Sequence, residues 1–91
     1  MRSLKELIIS SRKTSSDLTI YATTPWSPVS CAVVASDANG VDLPPEAASI
    51  NAVYFLEISI IHELINGPLS AVGDEELVNQ VIYYATYDSL P

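Results

Sequence analysis

Apolar positions along the chain change period several times, and each change marks an element. Leu4, Leu7 and Ile8 recur at helical spacing, behind a Ser3/Glu6 pair with the spacing of a capping box. The pattern predicts a short amphipathic helix over residues 3 to about 12, with Arg12 and Lys13 at the end where the helix dipole favours cations. A polar break, Thr14 to Asp17, separates it from Leu18 to Thr23. There Leu18, Ile20 and Ala22 alternate weakly, the pattern of an edge strand if this segment joins a sheet at all.

Val29 to Ser36 alternates more firmly. Ser30, Ala32 and Val34 face one way, and Val29, Cys31, Val33 and Ala35 the other; the small residues imply close coverage by a helix. Asn39-Gly40 suits a tight turn, but Pro44 and Pro45 cut short any returning strand over Val41 to Leu43, and Pro45 to Ser49 has room for one helical turn. The most apolar run follows, Ala52 to Ile65. Val53 to Ile58 is β-branched and aromatic, with Val53, Phe55 and Glu57 on one face and Tyr54, Leu56 and Ile58 on the other, the composition of a central strand covered on both sides. From Ser59, a candidate N-cap, the spacing of Ile60, Ile61, Leu64 and Ile65 turns helical; a single strand running on through Ile65 is the competing reading. Gly67 in a left-handed conformation and Pro68 would end the helix.

After a loop at Ala71 to Gly73, Asp74 is placed to cap a last helix, with Glu75 and Glu76 in its first turn. Leu77, Val78, Val81, Ile82 and Ala85 form its apolar face, and Tyr83, Tyr84 and Tyr87 occupy the remainder. The expected fold is therefore α+β. A small antiparallel sheet, with central strands near 29–36 and 53–58, is packed by the N-terminal and C-terminal helices within one globular domain, residues 1–91.

Size and charge narrow the function. A chain of 91 residues supports one core and little more, which makes a homodimer that hides further apolar surface a reasonable expectation. All four Lys and Arg residues lie within the first 13 positions, whereas ten carboxylates and no Lys or Arg occur from Thr14 onward. Phosphate-rich nucleic acids and anionic membranes are repelled by such a surface, and a basic protein partner is attracted. No apolar run reaches the length of a membrane span, Lys5 and Glu6 interrupt any signal-peptide core, and Cys31 is the only cysteine, so a cytoplasmic, reduced setting is expected.

Catalytic chemistry is sparse. His62-Glu63 begins like a zinc-protease helix, but the second histidine is replaced by Asn66. Cys31 in mid-strand reads as a small buried hydrophobe, and the three glycines are too scattered for a phosphate loop. Asp37, Asn39 and Asp42 resemble a calcium loop that lacks its bidentate glutamate. No catalytic residue, metal site or cofactor is therefore expected. The residues suited to partner binding are Trp26, held between Pro25 and Pro28, with Asp74, Glu75, Glu76, Tyr83, Tyr84 and Tyr87. For Trp26 a lid packed on the edge of the core is the preferred reading and a partner anchor the alternative, whereas the tyrosines suit ordinary helix packing equally well.

The opening Ser3 to Leu7 helix, the Trp26 loop, the Tyr54 to Glu57 strand and the closing Glu75 to Val78 helix with Tyr83-Tyr84 together resemble small bacterial proteins of about this length. Several such families are similar to immunity proteins of contact-dependent and polymorphic toxin systems. The resemblance implies an inhibitor that binds a toxin, and it assigns no individual residue.

Overall fold

The computed structural model describes residues 2–36 and 43–91. Four strands and four helices follow one another as β1 (Arg2–Ser3), α1 (Leu4–Ser10), β2 (Leu18–Ala22), β3 (Cys31–Ser36), α2 (Pro45–Ala48), β4 (Val53–Glu57), α3 (Ile58–Asn66) and α4 (Asp74–Tyr87), with a 3₁₀ turn at Ser11–Lys13 after α1. The strands form one antiparallel sheet in the order β1-β3-β2-β4. The α+β architecture is as expected from the sequence. The Asn39-Gly40 turn, the calcium-like Asp37, Asn39 and Asp42, and most of the possible returning strand over Val41 to Leu43 lie outside the described residues.

The order of the strands corrects the sequence reading. β2, read as an edge, is central and pairs along its length with both β3 and β4. β4, read as central, is the terminal strand. Its apolar character has another cause. Opposite β2, Ile20 pairs with Leu56 and Tyr21 with Tyr54, so Phe55 is the extra residue of a bulge. The bulge breaks strict alternation, and Phe55 and Leu56 both join the main core instead of facing opposite ways. Conversely, β2 (Leu18–Ala22) is buried at four of its five positions although its apolar alternation is weak: Ile20 and Ala22 enter the main core, while Tyr21 lies in the smaller cluster on the other face. β3 begins at Cys31, two residues later than the alternation suggested, and Val29 is exposed ahead of it.

The main core lies on one face of the sheet. Leu4, Leu7 and Ile8 of α1, Ile58, Ile61 and Leu64 of α3, and Leu77, Val78 and Val81 of α4 converge there on Ile20, Ala22, Ala32, Phe55 and Leu56. α1 packs on β3, α3 on β2 and β4, and α4 on α1 and α3. A third helix therefore covers the sheet beside the two terminal ones. The opposite face carries a smaller cluster of Tyr21, Ala35, Ala47 and Ala52, over which α2 is laid. Cys31 is at the uncovered end of β3 and is exposed, contrary to its reading as a buried hydrophobe.

Caps explain the helix boundaries. The Ser3/Glu6 box is complete: the Glu6 N–H donates to Ser3 Oγ and the Ser3 N–H to Glu6 Oε1, both at 3.2 Å. The next free N–H groups of α1, on Leu4 and Lys5, donate to the carbonyls of Ser30 and Pro28 at 2.8 and 2.9 Å. α3 starts directly from β4, with its cap two residues earlier than expected. Glu57 occupies the cap without a side-chain bond, and Ser59 lies inside the first turn. The longer-strand alternative is excluded. At the other end Gly67 has φ −126°, which is not left-handed; a Cβ there would stand 3.0 Å from the Glu63 carbonyl oxygen, so a tight backbone approach, and not a positive φ, is what favours glycine. Gly73, not Asp74, caps α4.

Candidate protein-interaction surface

α4 divides the predicted contact residues among three environments. Its buried stripe is Leu77, Val78 and Val81, with Ile82 and Ala85 half-buried beside it. Tyr84 belongs to this side: it is half-buried and packed against the main core. Asp74 is exposed but engaged within the molecule: its carboxylate accepts from Arg12 Nη1 at 3.1 Å. That ion pair joins the start of α4 to the 3₁₀ turn. Glu75 is exposed at the flank and lines a shallow cleft with Lys5, Pro28, Val78 and Asn79.

The outward face is formed by the rest. Glu76, Tyr83 and Tyr87 are spaced seven and four residues apart, which places them in line on one side of the helix, with Asn79 and Gln80 between. Tyr83 and Tyr87 are 39 % and 63 % exposed. Their rings meet at a centroid distance of 4.6 Å and an angle of 48°, a tilted pair open to solvent. Of the acidic triplet, only Glu76 stands in line with these rings.

Trp26 has a different role. Its ring meets Phe55 edge-on at 4.9 Å and 85°, and its Nε1–H points at the Ala22 carbonyl at 3.4 Å. The Thr24–Pro25 bond is cis, and Ser30 Oγ accepts from the Ser27 N–H while donating to the Pro25 carbonyl. The loop is thus bonded to itself and to α1, and the half-buried Trp26 closes the core over the bulge. Edge-on aromatic contacts of this kind contribute about 0.5–1.5 kcal/mol beyond burial. This is the lid of the two roles open to Trp26.

His62 is a second feature whose place the sequence did not disclose. Its Nε2–H donates to the Ser11 carbonyl at 2.7 Å, and Ser11, fully buried, donates its own hydroxyl to Ile8 O at 2.6 Å. The ring therefore ties α3 to the end of α1. Arg12, the next residue, ties the same turn to α4, so this short segment holds three helices together. Nothing local in the sequence signals either bond, because the partners are 51 and 62 residues apart.

Among the described residues, no group of three His, Cys, Asp or Glu side chains is arranged to hold a metal ion, and no helix is long and apolar enough to cross a membrane. No family model matches the chain, and no curated protein or solved structure gives a significant match.

Proposed function

We propose that this chain is a non-catalytic cytoplasmic binding protein of immunity type, which inhibits a basic protein partner such as a toxin through the outward face of α4. The observation that carries this reading is the line of Glu76, Tyr83 and Tyr87. Two aromatic rings lie open to solvent there although the core of α4 is complete without them. Exposed tyrosines beside a carboxylate supply contact area at low entropic cost, and the net charge of −7 steers a cationic partner toward the molecule. Glu75 borders the contact. Asp74, Tyr84 and Trp26 maintain the fold behind it.

Affinity capture from host lysate at low and high salt tests the proposal. A basic protein should be retained by the wild type, released by salt, and lost with the Glu76→Lys/Tyr83→Ala variant. Capture that is indifferent to both changes would remove α4 as the contact.

A second reading, a self-associating structural or adaptor protein, is favoured by one observation. β4 is a terminal strand, and Val53 on it is exposed, so its outer edge offers backbone groups to a second copy. Sedimentation would then give a dimer that Val53→Lys dissociates. The high negative charge opposes that assembly most at low salt, which separates the two readings by the sign of their salt dependence.

A further inference from the structure

Three features at the C-terminal end of α4 each attract a cation. The last turn contains no Lys or Arg, so the negative end of this 14-residue helix dipole is uncompensated. The Tyr84 carbonyl accepts the Asp88 N–H at 2.7 Å, while the carbonyls after it lie beyond the end of the intrahelical ladder. Asp88, exposed and in the left-handed conformation at φ 59°, adds a carboxylate at the same end. The Tyr83–Tyr87 pair adds two partly exposed aromatic rings, and an aromatic face carries a negative quadrupole. Among the described residues, none of the four Lys and Arg side chains, Lys13 included, is bonded to these groups. Arg12 is held by Asp74 at the opposite end of the helix, Arg2 by Ser10, and Lys5 borders Glu75.

We infer that this end of α4 receives an arginine side chain of the protein partner, its guanidinium stacked on the Tyr83–Tyr87 pair and its N–H groups directed at Asp88 and the last-turn carbonyls. The inference rests on the reading of α4 as the partner-binding face and specifies what that face recognises. Arginine fits better than lysine on two counts. A planar guanidinium stacks on aromatic faces and carries a fork of donors, so it can satisfy ring, carboxylate and carbonyl at once. An ammonium is a compact, strongly hydrated charge that gains less from the rings.

Calorimetry on the whole chain with three alanine-rich peptides tests this. One carries arginines, one carries lysines at the same positions, and one carries citrulline, which keeps the planar donors without the charge. The arginine peptide should bind about fivefold or more tightly than the lysine peptide, with the citrulline peptide weakest. Tyr83→Ala/Tyr87→Ala should abolish that preference with the far-ultraviolet circular dichroism unchanged, since both side chains are exposed. Asp88→Asn keeps a residue that tolerates the left-handed cap, and should weaken the arginine peptide while leaving the citrulline peptide unaffected. Equal binding of arginine and lysine peptides, a preference that survives loss of both tyrosines, or no binding of any peptide would each overturn the inference. The wider partner-binding reading falls separately, if capture from lysate yields no basic protein that depends on α4.

Discussion

The two ends of α4 differ in how far the fold accounts for their charges. At the N-terminal end the carboxylates of Asp74, Glu75 and Glu76 lie where the helix dipole favours them, and Asp74 is bonded to Arg12. Folding alone explains that acidity. At the C-terminal end Asp88 is the cap that follows Tyr87, and no basic residue lies in the last turn. The core does not need the exposed rings of Tyr83 and Tyr87 where they are. Acidic clusters are thus poor guides to function until their internal partners are known, and the informative residues are those the fold leaves unengaged.

The largest effect that sharpens this contrast lies on the inner stripe. Leu77→Ala should lower stability by about 2–5 kcal/mol, as expected when a fully buried leucine is truncated, and urea denaturation would measure it. Tyr87→Ala on the outer face of the same helix should stay within about 0.5 kcal/mol of the wild type. A comparable loss at Tyr87 would mean that the outer face is structural after all. His62→Ala comes next, at about 1 kcal/mol, because it removes one hydrogen bond while the Ser11 carbonyl retains the Thr14 N–H. Asp74→Ala should cost about 0.2–1 kcal/mol, since the ion pair with Arg12 is largely exposed, and the cost should shrink in high salt. An unchanged cost in salt would show that Asp74 acts through the helix end and not through Arg12.

The smallest effect concerns Glu6. Hydrogen bonds from the Ser3 backbone and side chain hold its carboxyl below the ordinary value of 4.5. A carboxyl depressed on folding contributes stability above its unfolded pKa and loses it as the pH falls through the folded one. The difference between wild type and Glu6→Gln should therefore be present at neutral pH and fade on acidification below about 4.5. A difference that grew on acidification would contradict the capping bond.

Local patterns were legible where the physics is local. The Ser3/Glu6 box, the short turn at Pro45, the switch from strand to helix near Ile58 and the buried stripe of α4 are all short-range features of the sequence. Sheet order is not, because the alternation within a strand carries no record of its neighbours. β2 appeared marginal because its apolar alternation is short and weak although both its faces are buried, and β4 appeared central because a bulge turns two consecutive large residues into one core. The candidate surface was half legible. Tyr83 and Tyr87 could be placed on an outward helical face, whereas the neutralisation of Asp74 depends on a residue far away in the chain.

The position of β2 also has a consequence during synthesis. β1, α1, β2 and β3 all lie within the first 36 residues and contact one another, so this portion can begin to assemble as soon as it leaves the ribosome. Its apolar face, with Leu7, Ile8 and Ile20, is completed only when α3 and α4 arrive. Until then β2 has one open flank, next to the place that β4 will fill. The nascent chain therefore passes through a stage in which three of the four strands and an incomplete core are exposed together, and that interval is when it is most vulnerable to aggregation.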